Sequence, residues 1–312
     1  MRRNTMFQLA VGSFLAIACT FASADAISAP PPPREVTPSG TGFAGVYGKQ
    51  APSSVEFLST PDSIKSAAVS GAPTLIWETL EHGEKVECLD CIAVVAPLLY
   101  DSRSAKTREI AAWWLRRRPL GVFGPGEVYQ QTLDTLASDP DPVRRAYAAS
   151  ALGEFLLSPG VPACSQALVA DGDARVRAAA ASALGRLNSD GGGVLGHAMS
   201  DVDPTVRLAA LAAAGIVNSF STLPAVAGLT TDPVSEVRRR AIEVLDGLNA
   251  KDTVAAVAAV AQKDPDAGVR AEACHALGTF GDSSVQSILT NLSQHDPDQF
   301  VRDQAQIALL RI

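Results

Sequence analysis

Two cysteines separated by two residues are the part of this sequence best suited to chemistry. Cys88 and Cys91 stand in "VECLDCIAVV" (86–95), just ahead of an apolar run. A Cys-x-x-Cys pair can form a disulfide, serve as a redox centre, supply half of a zinc site or attach a c-type haem. Haem attachment requires a histidine directly after the second cysteine, where this chain has Ile92. The choice among the other three depends on the compartment and on the fold.

A second group of residues could bind a partner. The stretch "IAAWWLRRRPLGVFGPGEVY" (110–129) holds two of the three tryptophans and three consecutive arginines. Exposed tryptophan beside arginine is a common anchor for an anionic or aromatic partner. Trp113, Arg116, Arg117 and Arg118 are therefore candidate contact residues. The alternative is that both tryptophan rings pack against the helices that precede them.

No other pattern points to an enzyme. The four histidines are widely separated, and metal ligands must converge at about 2 Å from one ion. The chain lacks the Gly-x-Ser-x-Gly motif of hydrolases and the Gly-x-x-x-x-Gly-Lys motif of phosphate-binding loops. The sequence therefore predicts no catalytic, cofactor-binding or metal-ligating residue.

The N-terminus is typical of an export signal. Two arginines precede the apolar stretch 6–21, and small residues then suit cleavage after Ala24 or Ala26. We therefore expect a signal peptide (1–26) and a periplasmic or extracellular location in a bacterium. An alternative is a lipid-anchored envelope protein, because "AIAC" ending at Cys19 resembles a lipoprotein cleavage site.

The composition after the signal also limits the partners. Residues 27–60 are rich in proline, glycine and serine without an apolar period, so we expect a disordered linker. No later apolar segment reaches the ~18 residues of a transmembrane helix. The net charge of −7 argues against a nucleic-acid partner, which requires a basic surface.

Seven arginines, which we call anchors, mark an internal repeat that fills the rest of the chain. Their spacings are 37, 32, 30, 31, 32 and 32 residues, a period typical of a solenoid. An alanine follows each anchor by three residues, and an aspartate precedes every anchor but the first by six. The anchors are Arg108, Arg145, Arg177, Arg207, Arg238, Arg270 and Arg302. The aspartates are Asp139, Asp171, Asp201, Asp232, Asp264 and Asp296.

Each repeat has the pattern of two antiparallel helices, A and then B. Asp141-Pro142 and Asp203-Pro204 place a side-chain acceptor before a proline, which favours a helix start. Small and apolar residues three, six and seven places after the anchor form one stripe of a helical period. We expect glycines to end most B helices. These glycines are Gly153, Gly185, Gly215, Gly247 and Gly278.

The repeats "SDPDPVRRAYAASALGEF" (138–155) and "KDPDAGVRAEACHALGTF" (263–280) resemble HEAT repeats, of the short type named after phycobilisome bilin lyases. The resemblance covers residues 86–312. It implies an all-α, right-handed α–α solenoid of about seven HEAT-like helical hairpins. It also implies that the anchors and aspartates form ladders between repeats and that B helices line the concave face. Residues 61–85 are expected to form an atypical N-terminal helical cap.

The resemblance implies no activity by itself, because the shared residues are structural. Deoxyhypusine hydroxylases carry His-Glu pairs that bind iron, and no histidine of this chain precedes a glutamate. Bilin lyases act in the cytosol, which fits an exported chain poorly. We therefore expect an exported non-catalytic scaffold whose concave face binds a protein. The alternatives are an exported thiol-redox or cofactor-handling protein and a bilin-lyase-like or oxidoreductase relative.

The repeats narrow the interpretation of the cysteine pair. A four-thiolate zinc site would need Cys164 and Cys274, which lie in repeats that a solenoid keeps apart. Cys88 and Cys91 fall in the opening turn of the first A helix, where two cysteines can meet the distance limits of a disulfide. We therefore expect a small structural disulfide, with a redox-active pair as the alternative.

Overall fold

The computed structural model describes residues 60–118, 120–121, 124–218 and 220–312. The expected signal peptide, the lipid-anchor candidate Cys19 and all but the last residue of the expected linker lie outside the described residues. Within those ranges the chain forms sixteen α-helices. None of them is long and apolar enough to span a bilayer.

Two helices precede the repeats. Helix α1 (Pro61–Ser70) and helix α2 (Pro73–His82) are followed by a 3₁₀ turn at Gly83–Lys85. Thr60 caps α1 because its side chain accepts the backbone N–H of Ser63 at 3.2 Å. Helix α1 packs against the first A helix, and α2 packs against the first B helix. The pair therefore covers one end of the first repeat.

Seven helical hairpins follow, which confirms the α-solenoid. The A helices are α3 (Leu89–Val95), α5 (Glu127–Ser138), α7 (Gly160–Ala170), α9 (Val194–Ala198), α11 (Leu223–Gly228), α13 (Val254–Lys263) and α15 (Gln286–His295). The B helices are α4 (Ala105–Leu115), α6 (Pro142–Phe155), α8 (Ala174–Arg186), α10 (Pro204–Ala214), α12 (Ser235–Gly247), α14 (Ala267–Phe280) and α16 (Gln299–Leu309).

Four 3₁₀ helices and one short pair of β-strands accompany the helical hairpins. The 3₁₀ helices Ala96–Tyr100 and Leu229–Thr231 extend α3 and α11, and Lys251–Thr253 and Ser283–Val285 precede α13 and α15. Between the first two hairpins, β1 (Leu120–Gly121) pairs antiparallel with β2 (Gly124–Pro125).

The residue four places before each anchor is the N-cap of its B helix. An aspartate there accepts a backbone N–H of the first turn, as Asp203 does from Thr205 at 2.8 Å. The same cap starts α6, α8, α14 and α16. In the fifth hairpin Val234 takes this position, and α12 begins without a side-chain cap.

The core lies between the A layer and the B layer. In repeat 2 the stripe residues Ala148, Ala151 and Leu152 are at most 3% exposed. Successive B helices pack on one another, and each B helix packs on the A helix of its own hairpin. The small side chains of the stripe allow this close packing.

Three of the glycines expected at B-helix ends have another role. Gly153, Gly185 and Gly278 lie inside their helices, so that prediction was wrong for them. A Cβ on Gly278 would lie 2.7 Å from the Cα of Ala308, a distance that real Cβ atoms do not adopt. The corresponding distance from Gly153 to the Cα of Ala183 is 2.9 Å. Glycine is therefore required there because successive B helices touch backbone to backbone.

Candidate functional site at the first inter-repeat junction

A ladder of ion pairs joins repeats 2 to 7. In each rung the anchor of one B helix binds the aspartate that precedes the next B helix. Arg177 donates from Nε to Oδ2 of Asp201 at 2.7 Å and from Nη2 to Oδ1 at 2.8 Å. Its Nη1 donates to the carbonyl oxygen of Asp171 at 3.0 Å. The five rungs are Arg145–Asp171, Arg177–Asp201, Arg207–Asp232, Arg238–Asp264 and Arg270–Asp296.

In four of the rungs the pKa of the carboxyl group is lowered, which favours its ionised form. The hydrogen bond from Arg145 lowers the pKa of Asp171 below its ordinary value, although burial acts in the opposite direction. Arg177 lowers the pKa of Asp201 in the same way. Asp201 also accepts the backbone N–H of Asp203 at 2.9 Å. Because each arginine and each aspartate of these pairs is already bound within the chain, the ladder is structural.

The first junction, between repeats 1 and 2, has no such rung. The guanidinium carbon of Arg108 lies 3.9 Å from the centroid of the Tyr147 ring. Asp139 is instead bound by Arg144, whose Nε lies 2.8 Å from Oδ2. Arg144 also lies over the ring of Tyr100, at 4.3 Å. Two arginine–tyrosine stacks thus replace one arginine–aspartate pair.

Two substitutions in the repeat pattern cause this exchange. The residue directly before the anchor is a buried valine in repeats 3 to 7, but it is Arg144 in repeat 2. The residue two places after the anchor is Tyr147 in repeat 2 and is not aromatic in the other repeats. Arg144 therefore competes for Asp139, and Tyr147 offers its ring to Arg108. The valines are Val176, Val206, Val237, Val269 and Val301.

A cavity of 370 Å³ lies on the B-helix side of this junction. We call it the B-face groove. The first three B helices line it, with alanines along its floor and Arg108, Tyr147 and Ser150 among its polar residues. Glu154 and Arg186 form an ion pair among its lining residues. Burial raises the pKa of Glu154, and the charge of Arg186 acts against that shift.

A larger cavity of 1180 Å³ lies between the first two A helices. We call it the A-face groove. Leu89, Ile92 and Val128 contribute apolar surface, while Tyr100 and Arg144 are among its polar residues. Leu89 is 85% exposed. Both grooves thus include one of the two arginine–tyrosine stacks in their walls.

Of the four candidate contact residues Trp113, Arg116, Arg117 and Arg118, the structure keeps three at the surface and folds Arg118 onto the neighbouring Trp114. Trp114 is fully buried, and its indole Nε1 donates to the carbonyl oxygen of Gly83 at 2.9 Å. Arg118 lies 3.6 Å over the Trp114 ring and donates to the carbonyl oxygens of Glu84 and Val86 at 2.8 Å. Arg118 therefore ties the first B helix to the cap, and its Nη1 and Nη2 atoms donate within the chain.

The other three residues of the patch remain at the surface. Trp113 is half-buried, and the guanidinium carbon of Arg116 lies 5.1 Å from its ring centroid. Arg117 is exposed and lies 3.0 Å from Glu84 Oε1. Arg116 approaches the same oxygen at 4.0 Å. Glu84 therefore neutralises part of the positive charge that the sequence suggested.

Cys88 and Cys91 lie at the start of α3. The structure joins their sulfur atoms, with 5.2 Å between the Cα atoms. Cys91 is fully buried, and its Sγ lies 3.6 Å from the carbonyl oxygen of Pro61 at the start of α1. Cys88 is partly exposed, and its Sγ accepts the backbone N–H of Cys91 at 3.1 Å. The two sulfurs therefore differ in their access to solvent.

The remaining cysteines of the described ranges are isolated in the core. Cys164 and Cys274 are free and fully buried, and burial raises the pKa of each thiol to about 12. In the part of the chain that the structure describes, no three His, Cys, Asp or Glu side chains are arranged to hold a metal ion.

A comparison with models of protein families identifies the family of this chain. Residues 129–215, 161–234 and 222–310 match HEAT repeats, and together they span more than half of the chain. The chain belongs to the HEAT-repeat family. No curated protein matches it.

Solved structures of HEAT-like proteins are also similar. The X-ray structure of YibA of Escherichia coli is 18% identical with a TM-score of 0.55, and the match covers 85% of this chain and 98% of that one. The CpcE–CpcF complex of phycocyanin lyase from Nostoc is 21% identical with a TM-score of 0.38, covering 70% and 93%. A HEAT-like repeat protein of Thermococcus onnurineus is 14% identical with a TM-score of 0.46, covering 70% and 96%. The first of these likenesses supports the fold.

Sequence reasoning missed the two stacks at the first junction. Tyr100, Arg144 and Tyr147 were not among the candidate residues. The signal that could have found them is a break in the repeat, because Arg144 stands where the other repeats have valine or threonine. An exception to a regular pattern marks a place where the structural contact has changed.

Proposed function

We propose that this HEAT-repeat chain is an exported, non-catalytic scaffold that binds a protein partner on the concave face formed by its B helices. The observation that carries this proposal is the B-face groove at the first junction, which is lined in part by α4, the helix that also carries the half-buried Trp113. A tryptophan with an exposed edge and a neighbouring arginine has the composition of a binding hot spot.

The ladder supports this proposal indirectly. Five rungs fix repeats 2 to 7 relative to one another, so a surface that spans several B helices is held in one shape before a partner arrives. A surface that is already ordered loses less conformational entropy on binding. The export signal remains a prediction from the sequence, and it would place the partner in the cell envelope or outside the cell.

Site-specific photocrosslinking tests this function. A benzoylphenylalanine residue would replace Ser150, which lines the B-face groove, or Val169, which is 63% exposed on the A helix α7. We expect a covalent adduct with an envelope protein from position 150 and none from position 169. Trp113→Ala should weaken that adduct, and a thermal melt of the variant verifies that it still folds. Adducts from position 169 alone, or from neither position, would contradict the proposal.

The cysteine pair supports a second candidate function, exchange of its disulfide with a partner dithiol. The observation that favours it is the exposure of Cys88 beside the buried Cys91, because an attacking thiolate must reach one of the two sulfurs. The reduction potential of the pair in the purified protein distinguishes the roles. A potential above roughly −270 mV supports exchange, and one below roughly −300 mV indicates a structural disulfide.

A further inference from the structure

Arg108 is the one anchor of repeats 1 to 6 that lacks a carboxylate partner among the described residues. Every rung uses its arginine in the same way. Nη1 donates to a backbone carbonyl near the start of its own B helix, and Nε and Nη2 face the aspartate of the next repeat, as in Arg145 with Asp171. Arg108 keeps only the first of these contacts, from Nη1 to the carbonyl oxygen of Asp101 at 2.5 Å.

Among the described residues, no nearby carboxylate forms an ion pair with Arg108. Asp101 is bound by Arg103, with oxygen–nitrogen distances of 3.1 and 2.9 Å. Asp139, the equivalent of the missing rung, is bound by Arg144. Glu154 is bound by Arg186. Glu109 is exposed and also lines the B-face groove, but among the described residues it forms no ion pair with Arg108.

The stack on Tyr147 leaves the hydrogen-bonding edge of Arg108 available. A guanidinium that lies on an aromatic ring uses its face, whereas its N–H groups point outward in the plane. Arg108 and Tyr147 both line the B-face groove, whose floor is made of alanines and Leu99. The groove volume of 370 Å³ lies within the range of sites that hold small ligands or single side chains.

We propose that the B-face groove binds an acidic peptide segment of the partner, with an Asp or Glu carboxylate on Arg108 in the place that an aspartate takes in every ladder rung. Apolar residues beside that carboxylate would contact the alanine floor. The partner thus completes the rung that repeat 2 does not supply. This inference rests on the proposed function and specifies the chemistry of the recognised segment.

Peptide selection tests it. Random peptides displayed on phage would be selected on the full chain, and the selected peptides would be remade with each Asp or Glu changed to Asn or Gln. We expect one acidic position whose amide analogue binds at least about tenfold more weakly, since a charge-assisted hydrogen bond contributes about 1.5–3 kcal/mol. Arg108→Gln should abolish that discrimination, whereas Lys106→Gln, an exposed residue of the same helix, should preserve it. Thermal melts of both variants verify folding.

The outcomes separate this inference from the proposed function. Peptides that bind equally well with the amide, or that bind Arg108→Gln as tightly as the native chain, overturn the inference. The proposed function would still stand if the adduct from position 150 is obtained. If no peptide is selected above background, that result counts against the inference. If the adduct from position 150 is absent as well, the inference and the proposed function are both overturned.

Discussion

The first junction and the five ladder junctions solve the same packing problem with different side chains. A rung such as Arg177–Asp201 places a charge-assisted pair between two hairpins and engages Nε, Nη1 and Nη2 of its arginine within the chain. The first junction uses arginine faces on Tyr100 and Tyr147, and cavities lie on both sides of it. The comparison teaches that the regular repeats tie neighbouring hairpins together with ion pairs, whereas the irregular junction leaves cavities open between its helices.

Acid should act on four of the rungs at once, and we expect this to be the largest effect. The pKa values of Asp171 and Asp201 are lowered in the folded chain, mainly by Arg145 and Arg177. A carboxyl with a lowered folded pKa contributes stability above its unfolded value of about 3.9 and loses it as pH falls through the folded pKa. Urea titrations should show a free energy of unfolding that falls steeply below about pH 4. A stability that is flat down to pH 2 would contradict this.

Glu154, which lines the B-face groove at the first junction, contributes with the opposite sign. Burial raises the pKa of Glu154, so the folded chain binds its proton more tightly than the unfolded chain does. Its ionisation therefore reduces stability as pH rises through the carboxyl range, and protonation relieves that cost. Asp201→Asn removes one carboxyl group with a lowered pKa. The free energy of unfolding of this variant should therefore depend less steeply on pH below about pH 4.

Removing one rung should cost more than removing the ion pair of the first junction. Asp201→Asn leaves the charge of Arg177 without a partner in a place that is largely shielded from water, which we expect to cost about 3–5 kcal/mol. Asp139→Asn affects a pair whose arginine is 45% exposed, and we expect a loss of at most about 1 kcal/mol. Urea unfolding of both variants at neutral pH measures the difference. Equal losses would mean that the two junctions do not differ as described.

The glycines inside the B helices allow a smaller test of the close packing. Gly278→Ala forces a Cβ to within 2.7 Å of the Cα of Ala308, so we expect a net loss of about 1–2 kcal/mol after the gain in helix propensity. Gly247→Ala is the matched control, because no atom lies within 4 Å of a Cβ at Gly247. The control should be neutral or stabilising by up to about 1 kcal/mol. A Gly278→Ala variant as stable as the control would refute the role of this contact.

Most of the fold could be predicted because the repeat pattern carries it. The aspartate four residues before an anchor predicts a B-helix start wherever it occurs, as at Asp203, and its replacement by Val234 coincides with a helix that has no side-chain cap. The role of Gly278 could not be predicted, since a glycine near a helix end fits both a C-cap and a close contact. Only the neighbouring helix decides between them.

The candidate site was harder to predict because it depends on which residues meet across repeats. Arg118 belongs to the same run as Arg116 and Arg117, yet it folds back onto Trp114 and the carbonyl oxygens of the cap. Tyr147 is one tyrosine on a long helix and has no motif around it. Its importance follows from its distance to Arg108, which sequence spacing does not give.

The stack of Arg108 on Tyr147 should have the smallest effect on stability, and it sharpens the comparison most directly. Exposed arginine–aromatic pairs contribute about 0.5–1 kcal/mol, so a double-mutant cycle with Arg108→Gln and Tyr147→Leu should give a coupling energy of that size. Tyr147→Phe keeps the ring and should preserve most of the coupling, because the hydroxyl plays no part in the stack. A coupling of zero would mean that Arg108 does not rest on the ring. Its hydrogen-bonding edge would then have no fixed direction, and the first junction would lose the feature that distinguishes it from an incomplete rung.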